Sequence, residues 1–144
     1  DYVALSRILD QEGRTDEAMT TLREALSIDP DHGASSYALG RMLYRAGEII
    51  EAEKQLNAVV ALDADNAGAH RILAQIADKR QDFDASLRHH AEVARVLPDK
   101  PAFLVGYARA QERTGDFNGA AQTYRRILSL DPSNSEAQRH VAGS

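Results

Sequence analysis

The chain has 144 residues, of which 43% are hydrophobic and 27% charged, and this composition is that of one ordinary folded domain and not of a disordered segment. Its formal net charge of −5 argues against generic nucleic-acid binding, which needs a basic footprint, and the absence of cysteine excludes disulfides, thiolate metal sites and a cysteine nucleophile. Apolar runs are only a few residues long, too short to span a membrane, and the opening DYVALSRILDQEG lacks the basic start and apolar stretch of a signal peptide.

The predicted elements come in pairs. In the first 32 residues, Tyr2, Leu5, Ser6 and Leu9 sit at helical spacing before Gly13, and Ala18, Leu22 and Ala25 follow it before Asp29-Pro30 ends the second helix. The next pair runs from about Ala34 to Ala46, with Leu39, Met42 and Leu43 on its apolar stripe, and then through Ile49, Ala52, Leu56, Val59 and Val60. Residues 67–100 repeat the arrangement with His70, Leu73, Ala74 and Ala77, then Ser86, His90 and Val93, closing at Pro98. Residues 101–134 repeat it once more with Leu104, Tyr107, Ala108 and Gln111, then Ala120, Tyr124 and Ile127, closing at Pro132. Pro30 and Pro98 are 68 residues apart and Pro98 and Pro132 are 34 apart, so the period is 34. Two columns never hold a large residue, Ser6/Gly40/Ala74/Ala108 and Ala18/Ala52/Ser86/Ala120, as close helix crossings demand. Gly13, Gly47 and Gly115 are expected to supply the left-handed residue that ends each first helix, with Gln81 in that place in the third copy. Asp16, Asp82 and Asp116 stand where an acidic group favours the next helix dipole, and Pro101 takes a first helical position that tolerates a missing N–H.

These columns resemble the tetratricopeptide repeat: an aromatic, Leu-Gly, a large residue, a small Ala, an aromatic and a closing Pro. The resemblance implies an all-α fold, a right-handed superhelical solenoid of antiparallel helix pairs, with repeats at 1–32, 33–66, 67–100 and 101–134 in one continuous domain. Residues 135–144 restart the pattern, with Val141 and Ala142 in the Leu-Gly columns, as a fifth repeat or a capping helix. Ser36 and His70 replace the first aromatic, Gln111 a large apolar residue and Ala64 the proline. Asp1 falls at the third position of a repeat, a register that fits a piece of a longer array.

In the family the first helices line a concave face, which implies that positions 2, 5, 9, 12 and 13 of each repeat point into a groove. Here these include Arg7 and Asp10; Tyr37, Arg41, Tyr44 and Arg45; Arg71, Gln75, Asp78 and Lys79; and Arg109, Glu112 and Arg113. Seven basic residues face three acidic ones there, and +4 in the groove leaves −9 elsewhere. Arg7, Arg41 and Arg109 share a column with Gln75 between them, and Arg41/Arg45 and Arg109/Arg113 are i, i+4 pairs of like charge. Without acidic partners these arginines suit an incoming anion, with Tyr37 and Tyr44 as flanking platforms. The bland alternative has the charges solvated or paired with Asp10, Asp78 and Glu112 across the groove, and the tyrosines packed on a neighbouring repeat.

The expected function is therefore a scaffold for an acidic or carboxylate-bearing protein segment, in a bacterial assembly or secretion protein of the periplasm or cytoplasm. Binding or guiding an anionic polysaccharide in an export apparatus is the alternative, and regulation of an enzyme elsewhere in a longer chain stands behind both. The known chaperone-tail clamp of the family needs Lys and Asn where this chain has Val3 and Arg7, and is not expected. Self-association through exposed terminal repeats is a further expectation under the same resemblance. No enzyme, cofactor or metal site is expected: His89 and His90 point in different directions on a helix, His90 and His70 fill packing columns, and Ser6 and Ser86 mark crossings.

Overall fold

The computed structural model describes residues 1–143, which form nine α-helices with no strand among them. They are α1 Tyr2–Gln11, α2 Thr15–Ile28, α3 Gly33–Arg45, α4 Ile49–Leu62, α5 Ala67–Arg80, α6 Phe83–Val96, α7 Pro101–Arg113, α8 Phe117–Leu130 and α9 Ser135–Ala142. The chain divides into two compact units, Asp1–Ile72 and Leu73 onward, with the division inside α5.

Within each pair the turn has one construction. Gly13, Gly47 and Gly115 take φ of 80°, 83° and 89°, the left-handed conformation anticipated for them. Gln81 adopts φ 57° at the equivalent place, so the geometry of the repeat is kept without the residue that favours it. The following helices start on capping groups: Asp82 accepts from Ala85 N at 3.2 Å and Asp116 from Gly119 N at 2.9 Å, while Asp16 lies in the first turn of α2. Pro101 is the first residue of α7.

Between pairs neither the aspartate nor the proline is constant: Asp29, Asp63 and Asp131 stand at three of the boundaries, and Leu97 precedes Pro98 at the other. Asp29, Asp63 and Asp131 each end a helix in extended backbone, and each folds its carboxylate back onto the N–H two residues on, at 3.2, 3.0 and 3.2 Å. Ala64 can therefore stand where Pro30 and Pro132 stand, because Asp63 already makes the turn.

The core of the first unit gathers Ala18, Met19 and Leu22 of α2, Leu39, Met42 and Leu43 of α3 and Ala52 of α4. Gly40 is buried among them, and a Cβ there would come within 2.8 Å of the Leu56 side chain, which explains why that column excludes large residues. The second unit packs Leu104, Ala108, Ala120, Tyr124 and Ile127 around Ala137 of α9. The Ser6 and Ser86 crossings are also buried, their hydroxyls donating to Val3 O and to the Asp78 carboxylate.

Candidate functional site

In the first unit α1 and α3 present their groove-facing positions to a cleft of about 620 Å³. Val3, Ala38 and Met42 give it an apolar floor, Ala34 adds an exposed methyl group, and Arg7, Asp10, Tyr37, Arg41 and Arg45 give it its polar groups. Asp10 is spoken for on both oxygens, taking Thr15 Oγ1 at 2.9 Å and Arg45 Nη2 at 2.7 Å. The hydrogen bond from Arg45 holds the Asp10 carboxyl below the usual carboxylate range, with burial opposing it and Thr15 assisting. Arg41 lies over the Tyr37 ring, 5.6 Å from its centroid. Among the described residues, neither Arg7 nor Arg41 is hydrogen-bonded or ion-paired to an acid. Three arginines against one aspartate leave this cleft at +2.

Tyr37 owes its place to Gly68. A Cβ on Gly68 would lie 2.1 Å from the tyrosine hydroxyl, so the ring occupies the space that a side chain at 68 would need. Tyr44, by contrast, packs against the core cluster of the first unit and does not line the cleft with Tyr37.

The groove positions of the second unit are differently furnished. The Arg109 guanidinium takes the Glu136 carboxylate through two parallel hydrogen bonds, Nε to Oε2 at 2.7 Å and Nη2 to Oε1. That contact raises the Arg109 pKa and holds Glu136 below the usual range, burial opposing both shifts. The Tyr124 hydroxyl faces two carboxylates, Glu112 at 2.9 Å and Glu136 at 3.2 Å, and burial followed by these acids pushes its pKa up. His140 stacks on the Tyr124 ring at 4.2 Å, with Nδ1 3.2 Å from Glu112 Oε2. Arg113 reaches Asp78 at 3.3 Å and lies over Phe83. Asp78 also receives Ser86 and stands 3.1 Å from His90 Nε2; burial raises its carboxyl, and these contacts outweigh burial and hold it below the ordinary value. His90 is thus a satisfied interior histidine, and Gly106 makes room for its ring. His70 is likewise buried, its Nε2 2.8 Å from Ala64 O.

The expectation of arginines without acidic partners therefore needs correction at three places. Arg7 has no ion pair among the described residues and Arg41 none beyond a longer-range attraction to Asp10, but Arg45, Arg109 and Arg113 are paired, with Asp10, Glu136 and Asp78. Arg71, Gln75 and Lys79 are exposed on α5. Sequence reasoning missed Glu136, although the register carries the signal: it stands at position 2 of the fifth copy, 27 residues after Arg109, where earlier copies have Ala34, Gly68 and Ala102.

Comparison with solved structures places the chain among helical repeat proteins. YrrB, described as a TPR protein with an unusual peptide-binding site, superimposes with a TM-score of 0.87 at 13% identity, covering 99% of this chain and 73% of that one. MamA superimposes with a TM-score of 0.81 at 18% identity over 94% of this chain and 80% of that one. These likenesses show the fold, an all-α helical solenoid. Among curated proteins, the chain is 26% identical over 137 residues to the human protein O-mannosyl-transferase TMTC1, covering 91% of this chain. It is 30% identical over 115 residues, 79% of this chain, to the Arabidopsis thaliana protein CTR9 homolog. It is 24% identical over 123 residues, 85% of this chain, to the TPR repeat-containing protein YpiA of Bacillus subtilis (strain 168). The matched segments are 15%, 10% and 29% of those proteins' lengths. Tetratricopeptide repeat family models match residues 11–76 and residues 73–135, and with the helix pairs, left-handed turns and small-residue crossings described above, the chain belongs to the tetratricopeptide repeat family.

Proposed function

We propose that the chain is a protein-interaction scaffold whose cleft between α1 and α3 takes an acidic segment of a partner protein. Membership of the tetratricopeptide repeat family supports the scaffold role, and the peptide-binding description of YrrB is in keeping with a peptide ligand. The observation that carries the acidic preference is the state of the cleft's charges: among the described residues neither Arg7 nor Arg41 is hydrogen-bonded or ion-paired to an acid, Arg41 feeling Asp10 only at longer range, while both oxygens of Asp10 are engaged by Arg45 and Thr15. Guanidinium groups so placed meet a carboxylate bidentately, and Tyr37 with the apolar floor covers the intervening chain. The wider site foreseen from the sequence narrows accordingly, since Arg109 and Arg113 already hold carboxylates of their own unit.

A titration with a fluorescent glutamate-rich peptide, set beside a uronate oligosaccharide of matched charge, tests this. Arg7→Ala and Arg41→Ala are each expected to weaken peptide binding roughly tenfold, within the range of a hydrogen bond to a charged group. Undiminished binding by the double variant would remove the cleft from consideration, and preference for the oligosaccharide would replace the peptide reading with the glycan one.

A further inference from the structure

The second unit contains a worked example of what an arginine in this column does with a carboxylate. Arg109 at repeat position 9 holds Glu136, 27 residues on, through Nε and Nη2 on one guanidinium edge, and the Glu136 side chain is only 19% exposed. The same interval leads from Arg41 to Gly68 and from Arg7 to Ala34. At Gly68 the space over the backbone is taken by the Tyr37 ring, and Arg41 stacks on that ring. At Ala34 the side chain is an exposed methyl group lining the cleft, and Arg7 is neither hydrogen-bonded nor ion-paired to an acid among the described residues. Arg7 and Ala34 are thus an arginine and its facing position with the carboxylate left out.

We infer that the cleft seats a glutamate side chain of the partner at Arg7 over Ala34, in the pose in which Arg109 holds Glu136. The inference rests on the acidic-segment reading and adds its anchor: one glutamate, bound from the α3 side, with Tyr37 and Arg41 receiving the neighbouring stretch of the ligand. A bidentate grip of this kind is set by the length of the acid's side chain as well as its charge, so glutamate is expected to be preferred over aspartate.

The test supplies the missing carboxylate from the protein itself. Ala34→Glu is expected to weaken binding of the fluorescent glutamate-rich peptide at least tenfold, and Ala34→Gln, of the same size without the charge, less than threefold. In the absence of peptide, carbon-detected NMR titration of Ala34→Glu should find the introduced carboxyl below the ordinary glutamate range, as Arg109 brings about for Glu136, and Arg7→Gln in the same chain should return it to that range. An ordinary titration of the introduced group, or equal losses from the two substitutions, would overturn the pose even while Arg7→Ala still weakens binding and the acidic-segment reading stands. Failure of the unsubstituted chain to bind the peptide would overturn both.

Discussion

At the scale of single residues, the clearest departure from repeat chemistry is Gln81, which holds φ 57° where the other three turns use glycine. A side chain in the left-handed region costs roughly 1–2 kcal/mol, and glycine there loses about 0.4–1 kcal/mol more chain entropy on folding, so the two terms nearly offset with the strain ahead. Gln81→Gly is therefore expected to stabilise the protein by about 0.5 kcal/mol in urea unfolding, and Gly47→Ala, the reverse change in the first unit, to destabilise it by a similar amount or more. A destabilising Gln81→Gly would mean that the glutamine side chain contributes contacts worth more than the strain. The turn position and its occupant were legible from the period of 34 residues; the positive φ of Gln81 was not, because on a non-glycine it is imposed by the packing either side.

At the scale of the element, α9 shows how a short helix is fixed to its neighbours. Its eight residues are too few for independent helicity, so packing must hold it, through Ala137 in the core and through Glu136 and His140 on the polar side. The pull of Arg109 keeps the folded carboxyl of Glu136 below its unfolded value of about 4.5. Between the two pKa values the unfolded chain binds the extra proton. The contribution of Glu136 is accordingly complete above the unfolded value and is lost as pH falls through the folded one. Unfolding followed by circular dichroism from pH 7 to pH 3 should show a steeper acid loss of stability in the native chain than in Glu136→Gln, which is less stable at pH 7 and converges with it in acid. Parallel curves would mean that α9 is held by its apolar contacts alone. The sequence register reveals the helix, since Val141 and Ala142 reoccupy the Leu-Gly columns. The Arg109 contact is signalled only by Glu136 standing where earlier copies have Ala or Gly, and arginines read as one column hide what each faces on the next helix.

At the scale of the whole molecule, fold and site are legible to different depths for a physical reason. Repeat columns record packing, and packing recurs, so Gly40, Ala52 and Ala120 announce helix crossings wherever they stand. Ligand contacts depend on which single partner a charge finds: Asp10 for Arg45, Asp78 for Arg113, and none among the described residues for Arg7. The charge balance carries a consequence of its own for binding kinetics. The chain bears −5 in total and the cleft +2, so the remainder carries −7, and an acidic ligand is repelled by the molecule that its site attracts. At about 10 mM salt the screening length is roughly 30 Å and the whole charge is felt; at about 100 mM it is roughly 10 Å and only the cleft is felt at contact. Association of the glutamate-rich peptide, measured by stopped-flow fluorescence, should therefore accelerate as salt is raised over this interval and slow only beyond it, when the arginines themselves are screened. Dissociation should quicken throughout, since salt weakens the contacts that hold the complex. A monotonic fall of the association rate from the lowest salt upward would show that the cleft's own field reaches past the acidic surface, and the count of −7 would then have no bearing on encounter.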